Sequence, residues 1–131
     1  MPNAKKLTYW GQNVLLLVSS SILFAFSQPG FFVPTGLPVF AYIIFVPLFI
    51  LIHRISFLSS FIWGGVFGAL NYCIFSYWLW SFHPLAMYIV ALEYFLYYML
   101  TIPLLKLADM YFPKYGFIAQ WLIWVAYEYI K

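Results

Sequence analysis

Apolar runs of membrane-span length alternate with short polar or Pro/Gly-rich breaks along this chain. The longest run, FLSSFIWGGVFGALNYCIFSYWLW over 57–80, carries no charged residue. As a helix rising about 1.5 Å per residue it would reach roughly 35 Å, enough to cross a hydrocarbon core of about 30 Å. Gly64 and Gly68, with Gly65 and Ala69 beside them, remove side-chain bulk at i and i+4, so the pattern predicts that a neighbouring helix packs closely here. Ahead of it, NVLLLVSSSILFAF follows two lysines and Trp10 and predicts a first span over about 8–27. SQPGFFVPTGLP packs too many prolines and glycines for a helix to continue and predicts a tight reversal. A second span over about 37–52 opens on Pro38, ends at His53-Arg54 and should kink at Pro47. After SFHPL, a fourth covers about 86–105, and KLADMYFPKY has the mixed character of a segment lying at the interface. GFIAQWLIWVAYEYIK supplies a fifth over about 117–130. The first run also has the grammar of a signal peptide, with Ala25-Phe26-Ser27 resembling a cleavage site, although the later spans make cleavage unnecessary.

Composition narrows the class. Hydrophobic residues form 66% of the chain and charged residues 7%, and mean hydropathy is +0.95. These values exclude an ordinary soluble domain and predict an all-α, polytopic transmembrane helix bundle of about five spans, with 1–131 as a single domain. The net charge of +3 rests on six basic residues at or near the ends of apolar segments, which excludes a nucleic-acid face. With five spans, Lys5, Lys6, Arg54, Lys106 and Lys114 fall on one side and Lys131 on the other. The positive-inside rule then predicts a cytoplasmic N-terminus. Trp10, Tyr77, Trp78, Trp80, Tyr111 and Tyr115 lie near predicted span ends, as an interfacial aromatic belt requires.

Few residues can carry chemistry. Glu93 is the only carboxylate well inside a predicted span, and an ionisable group there is a functional candidate. Counting from the outer ends, it lies about 12 Å down the fourth span and Asn71 about 14 Å down the third. Asn71 also continues the Gly64, Gly68 face. A protonated Glu93 bonded to Asn71 would tie two helices together, and the competing reading is a proton- or substrate-handling role. Cys73 is the only cysteine, so no internal disulfide forms, and nothing near it in sequence would activate a thiol. His83, just before Pro84, is placed to meet a lipid headgroup or to act as an ordinary interfacial histidine. No metal-ligand spacing, phosphate-cradling loop or Ser/His/Asp set occurs, so no metal or cofactor is expected.

Taken together, the order of features resembles the N-terminal membrane domain of bacterial apolipoprotein N-acyltransferase. The resemblance is carried by LFAFSQPGFFVPTGLPVFAYIIFVPLF, an apolar span running into a Phe-x-Pro reversal, by GGVFGALNYCIFSYWLW, and by LIWVAYEYIK. In the last, Trp124 and Glu128 keep the family's residue types and Lys131 stands where arginine is usual. The resemblance implies acyl transfer from a phospholipid to the free α-amine of a diacylglyceryl-cysteine at a lipoprotein's N-terminus, in the bacterial inner (cytoplasmic) membrane. The family performs it with a nitrilase-like domain carrying a Glu-Lys-Cys triad, which is not in this chain, so no catalytic residue is carried over.

What these residues could share is the membrane domain's task of presenting lipid substrates, with Tyr77, Trp78, His83, Trp124 and Glu128 bordering a lipid entrance at the outer ends of spans three to five. The implied partners are the phospholipid bilayer and either a lipoprotein substrate or a separately encoded catalytic domain. The chain is then expected to be a truncated product or one part of a split enzyme. The alternative is a non-enzymatic bundle that binds lipid or a partner protein. A dimeric transporter module with Glu93 at the midplane ranks last, since no internal repeat is visible.

Overall fold

The computed structural model describes residues 2–30 and 34–130, with side chains from Leu7 onward. The side chains of Lys5 and Lys6, residues 31–33 of the reversal, and Lys131 with its place in the resemblance lie outside the described residues. The chain is an all-α membrane bundle. Its elements are α1 (Pro2–Ser27), α2 (Pro38–Ile43), α3 (Phe45–Arg54), α4 (Phe57–Phe75), a 3-10 turn (Tyr77–Ser81), α5 (Pro84–Tyr111) and α6 (Gly116–Ile130). Three stretches, Leu7–Ser27, Phe57–Phe75 and Pro84–Tyr111, are long and apolar enough to cross a membrane, and Pro38–Arg54 is a shorter apolar helix.

Each boundary has a local cause. The reversal after α1 closes when Leu37 N–H donates to the Phe26 carbonyl (3.0 Å). It turns on Gly36 at φ +64°, where an added Cβ would meet the Ser27 carbonyl oxygen. Pro47 has no N–H to offer the Ile43 carbonyl and its ring crowds that oxygen, so α2 ends at Ile43. The backbone at Ile44 stays helical (φ −54°, ψ −36°), which makes the junction an elbow rather than a loop. Ser20 of α1 fixes it by donating to the Ile44 carbonyl (3.2 Å). Ser56 caps α4 by accepting the Ser59 N–H.

Two boundaries differ from the sequence expectation. The helix predicted over 57–80 stops at Phe75, and Tyr77 and Trp78 lie in the tighter 3-10 turn that follows Ser76. The segment expected at the interface from Lys106 instead extends α5 to Tyr111. The charges there do not end the helix because they are internally satisfied. Buried Lys106 donates to Asp109 Oδ2, one turn on, and to the His53 carbonyl of α3, both at 3.1 Å. Pro113, just beyond, prevents further helix. Lys106→Met should lower stability by about 1 kcal/mol by stranding these two acceptors; an unchanged melting temperature of the detergent-solubilised protein would contradict the assignment.

Packing is organised around α4 and α5, the most extensively paired elements; α6 lies on α5, and α1 covers α3 and α4. The glycines set the α4–α5 distance. A Cβ at Gly64 would meet the Tyr98 carbonyl oxygen and Ile102, and one at Gly68 the Tyr94 carbonyl oxygen and the Tyr98 side chain. The backbones therefore meet where lipid offers no hydrophobic drive and close van der Waals contact must hold the pair. Phe24 of α1, Phe67 of α4 and Trp124 of α6 complete the core around Tyr98.

Candidate functional site

One face of α5 carries Tyr94, Tyr97 and Tyr98, and one face of α6 carries Trp124, Tyr127 and Glu128. Both follow i, i+3, i+4 spacing, so each trio lies on one helical stripe. The antiparallel α5–α6 pairing brings the stripes together. Its register is set at the start of α6, where Gly116 faces Asp109 closely enough that a Cβ would stand 3.2 Å from the Asp109 Cα. Further along, Gln120 Nε2 donates to the Leu105 carbonyl (3.1 Å), and the Tyr127 hydroxyl donates to the Tyr97 carbonyl (2.8 Å).

At the centre of this seam Tyr98 is fully buried. Its hydroxyl donates to Glu128 Oε1 (3.3 Å), and its ring packs edge-on against Phe67 and beside Trp124. The Tyr97 and Tyr127 rings lie 4.3 Å apart, and Tyr72 of α4 stacks nearly parallel to Tyr94. The result is a stripe of phenols and one carboxylate in an otherwise apolar bundle. Such groups donate and accept hydrogen bonds, and they can position the polar part of a lipid, but the stripe contains no nucleophile paired with a base. Cys73, next to Tyr72 in sequence, is half-buried and has no hydrogen-bond partner among the described residues.

The structure divides the lipid-entrance set. Tyr77 and Trp78 are exposed beyond the end of α4, where Trp78 packs edge-on against Phe82. His83 caps α5, its Nδ1 accepting the Leu85 N–H at 3.1 Å, so this ring already has a structural task. Trp124 and Glu128 are not with them. Glu128 meets Tyr98, fourteen residues and so about 21 Å along α5 from Pro84, near the middle of that helix.

The packing set divides as well. Gly64 and Gly68 face α5 as expected, but Asn71 does not bond Glu93. Asn71 is fully buried, and neither Oδ1 nor Nδ2 has a partner among the described residues, whereas Glu93 is exposed. Sequence reasoning also missed the tyrosine seam, although the repeated i, i+3, i+4 spacing was there to find. It missed a polar cluster at the opposite end of the bundle too, where His53 Nδ1 lies 3.1 Å from Asp109 Oδ1 and an Arg54 Nη donates to Gln12 Oε1 (2.6 Å). Those residues are far apart in sequence and only the fold joins them.

The chain is similar to two curated proteins. It is 43% identical over 126 residues, 96% of its length, to apolipoprotein N-acyltransferase 1 of Treponema denticola, and 38% identical over 117 residues, 89% of its length, to apolipoprotein N-acyltransferase 1 of Treponema pallidum. It spans 23% and 21% of those proteins, about a fifth of each. No family model and no solved structure matches it.

Proposed function

Because this chain is in sequence a membrane segment like that of apolipoprotein N-acyltransferases, we propose that it is the membrane-embedded part of such an enzyme, holding lipid substrates beside a catalytic unit formed by other residues. The observation that carries this reading is the match along nearly the whole chain. The reaction served is transfer of an acyl chain from a phospholipid to the free α-amine of a diacylglyceryl-cysteine at a lipoprotein's N-terminus. Both substrates are lipids, so confining and orienting them in the bilayer supplies part of what a bimolecular reaction otherwise lacks. The half-buried Cys73 within α4 has no base bonded to it among the described residues, so the proposal places the nucleophile elsewhere.

The proposed setting is the bacterial cytoplasmic membrane, crossed five times with the N-terminus inside. Support for this orientation comes from Arg54, Lys106 and Lys114, which gather at one end of the bundle, with Tyr77, Trp78 and His83 at the other. Tyr77 and Trp78, with Trp80 packed on Tyr88, then lie at the outer lipid headgroups, beside the reaction.

A chimaera tests the reading. The matching stretch of the Treponema denticola protein is replaced by this chain, and N-acylation of a diacylglyceryl lipopeptide is measured in membranes of equal protein abundance. The chimaera is expected to acylate near the parent's rate, and Trp78→Ala within it to acylate more slowly. A chimaera as abundant as its parent but without acyl transfer sinks the proposal.

A further inference from the structure

The end of the bundle opposite Tyr77 and Trp78 holds a cavity of about 310 Å³ where the end of α3, the end of α5 and the first turn of α6 converge. We infer that this cavity binds the phosphate headgroup of an anionic phospholipid, whose acyl chain lies along α6.

The charges favour an anion. Asp109 lines the cavity, but both its oxygens are engaged, Oδ1 with His53 Nδ1 and Oδ2 with Lys106 Nζ, so its charge is offset within the protein. Arg54 and Lys114 also line it and pair with no carboxylate among the described residues. The chain has three acidic residues in all, and the other two are remote. Glu93 lies sixteen residues, about 24 Å, along α5 from Asp109, and Glu128 lies twelve residues, about 18 Å, along α6 from Gly116.

Arg54 adds a second observation. One Nη donates to Gln12 and the guanidinium lies 4.9 Å from the centre of the Tyr9 ring, yet its buried Nε–H has no acceptor among the described residues. Arg54 as a whole is half-buried and lines the cavity, so a phosphate there meets a charged donor group. Gly116 and Phe117, which open α6, also line the cavity, so the helix presents its positive end and its leading N–H groups there.

The apolar surroundings identify the anion as a lipid rather than free phosphate. Phe49 and Phe117 wall this cavity and are shared with a second, almost wholly apolar one of about 280 Å³, completed by Ile118 and Trp121. Ile118 and Trp121 are exposed on the lipid-facing side of α6. A polar chamber that opens into an apolar groove along a membrane helix matches a headgroup followed by its acyl chain, and basic pockets between membrane helices are known to take anionic headgroups.

The test uses the full protein in vesicles of phosphatidylcholine, doped with phosphatidylglycerol or phosphatidylcholine brominated on the acyl chain, with tryptophan fluorescence as the readout. Brominated phosphatidylglycerol is expected to quench at about fivefold lower mole fraction than brominated phosphatidylcholine, and this preference should vanish in Lys114→Glu. Trp121→Phe should abolish the same excess, placing the acyl chain in the groove. Lys114 is exposed, so its variant keeps the test decisive if Arg54→Gln, which also loses the Gln12 contact, fails to fold. Equal quenching by the two lipids, or an excess untouched by Lys114→Glu or by Trp121→Phe, overturns the inference. So does an excess removed by millimolar inorganic phosphate at constant ionic strength, which would make the cavity a free-anion site.

Discussion

Gly68→Leu is expected to cost about 3 kcal/mol, at the upper end of overpacking penalties, and Gly64→Leu a similar amount. At both positions the atom in the way is a backbone carbonyl oxygen of α5, that of Tyr94 for Gly68 and that of Tyr98 for Gly64. No rotamer change can move a carbonyl that is fixed in a helix, so the new side chain must push α5 away along much of its length. Gly65 is the control. The atoms nearest a Cβ there belong to the Phe95 ring, a half-buried side chain that can swing, so Gly65→Ala should cost less than Gly68→Ala. The readout is the thermal midpoint of the detergent-solubilised protein. A wild-type melting temperature in Gly68→Leu would remove the glycines from the account of the fold.

Asn71→Leu is expected to do the opposite and stabilise the protein by about 1 to 2 kcal/mol. Asn71 lies one turn beyond Gly68, fully buried with both amide atoms unpartnered among the described residues. An unsatisfied buried amide costs about 1 to 3 kcal/mol, and the packing that leaves Asn71 fully buried keeps bulk water from relieving it. Leucine has the same branched shape and presents methyl groups where the amide leaves two demands unmet. The readout is again the thermal midpoint in detergent. A lower midpoint for Asn71→Leu would mean that the amide has a partner supplied from outside these helices.

The glycine seam was legible in the sequence because its cause is local: two glycines four residues apart in a charge-free run leave one smooth stripe. The elbow at Ile44 was legible for a similar reason, since Pro47 must disturb the carbonyl four residues before it. The Glu93–Asn71 pairing failed because depth along a span fixes height and not direction. The Tyr94 carbonyl faces Gly68, and Glu93, one residue earlier, is turned about 100° away and exposed. Glu128 was misplaced through the α5–α6 register. Once Gly116 is seen to meet Asp109, antiparallel pairing carries Glu128 to Tyr98, but that contact depends on how the turn through Pro113 folds. The headgroup cavity draws on residues from α3, α5 and α6, and no stretch of sequence announces such a convergence.

Lys106 bears finally on how the chain enters the membrane. A lysine in an apolar helix ordinarily opposes insertion until a partner arrives. Here Asp109 stands one turn later on the same helix and binds its ammonium group, so α5 carries its own counter-ion from the moment it coils. The pair can partition as a near-neutral unit while the helix is still alone. The bond from Lys106 to the His53 carbonyl forms only when α5 reaches α3. One side chain thus eases entry during synthesis and later latches the assembled bundle.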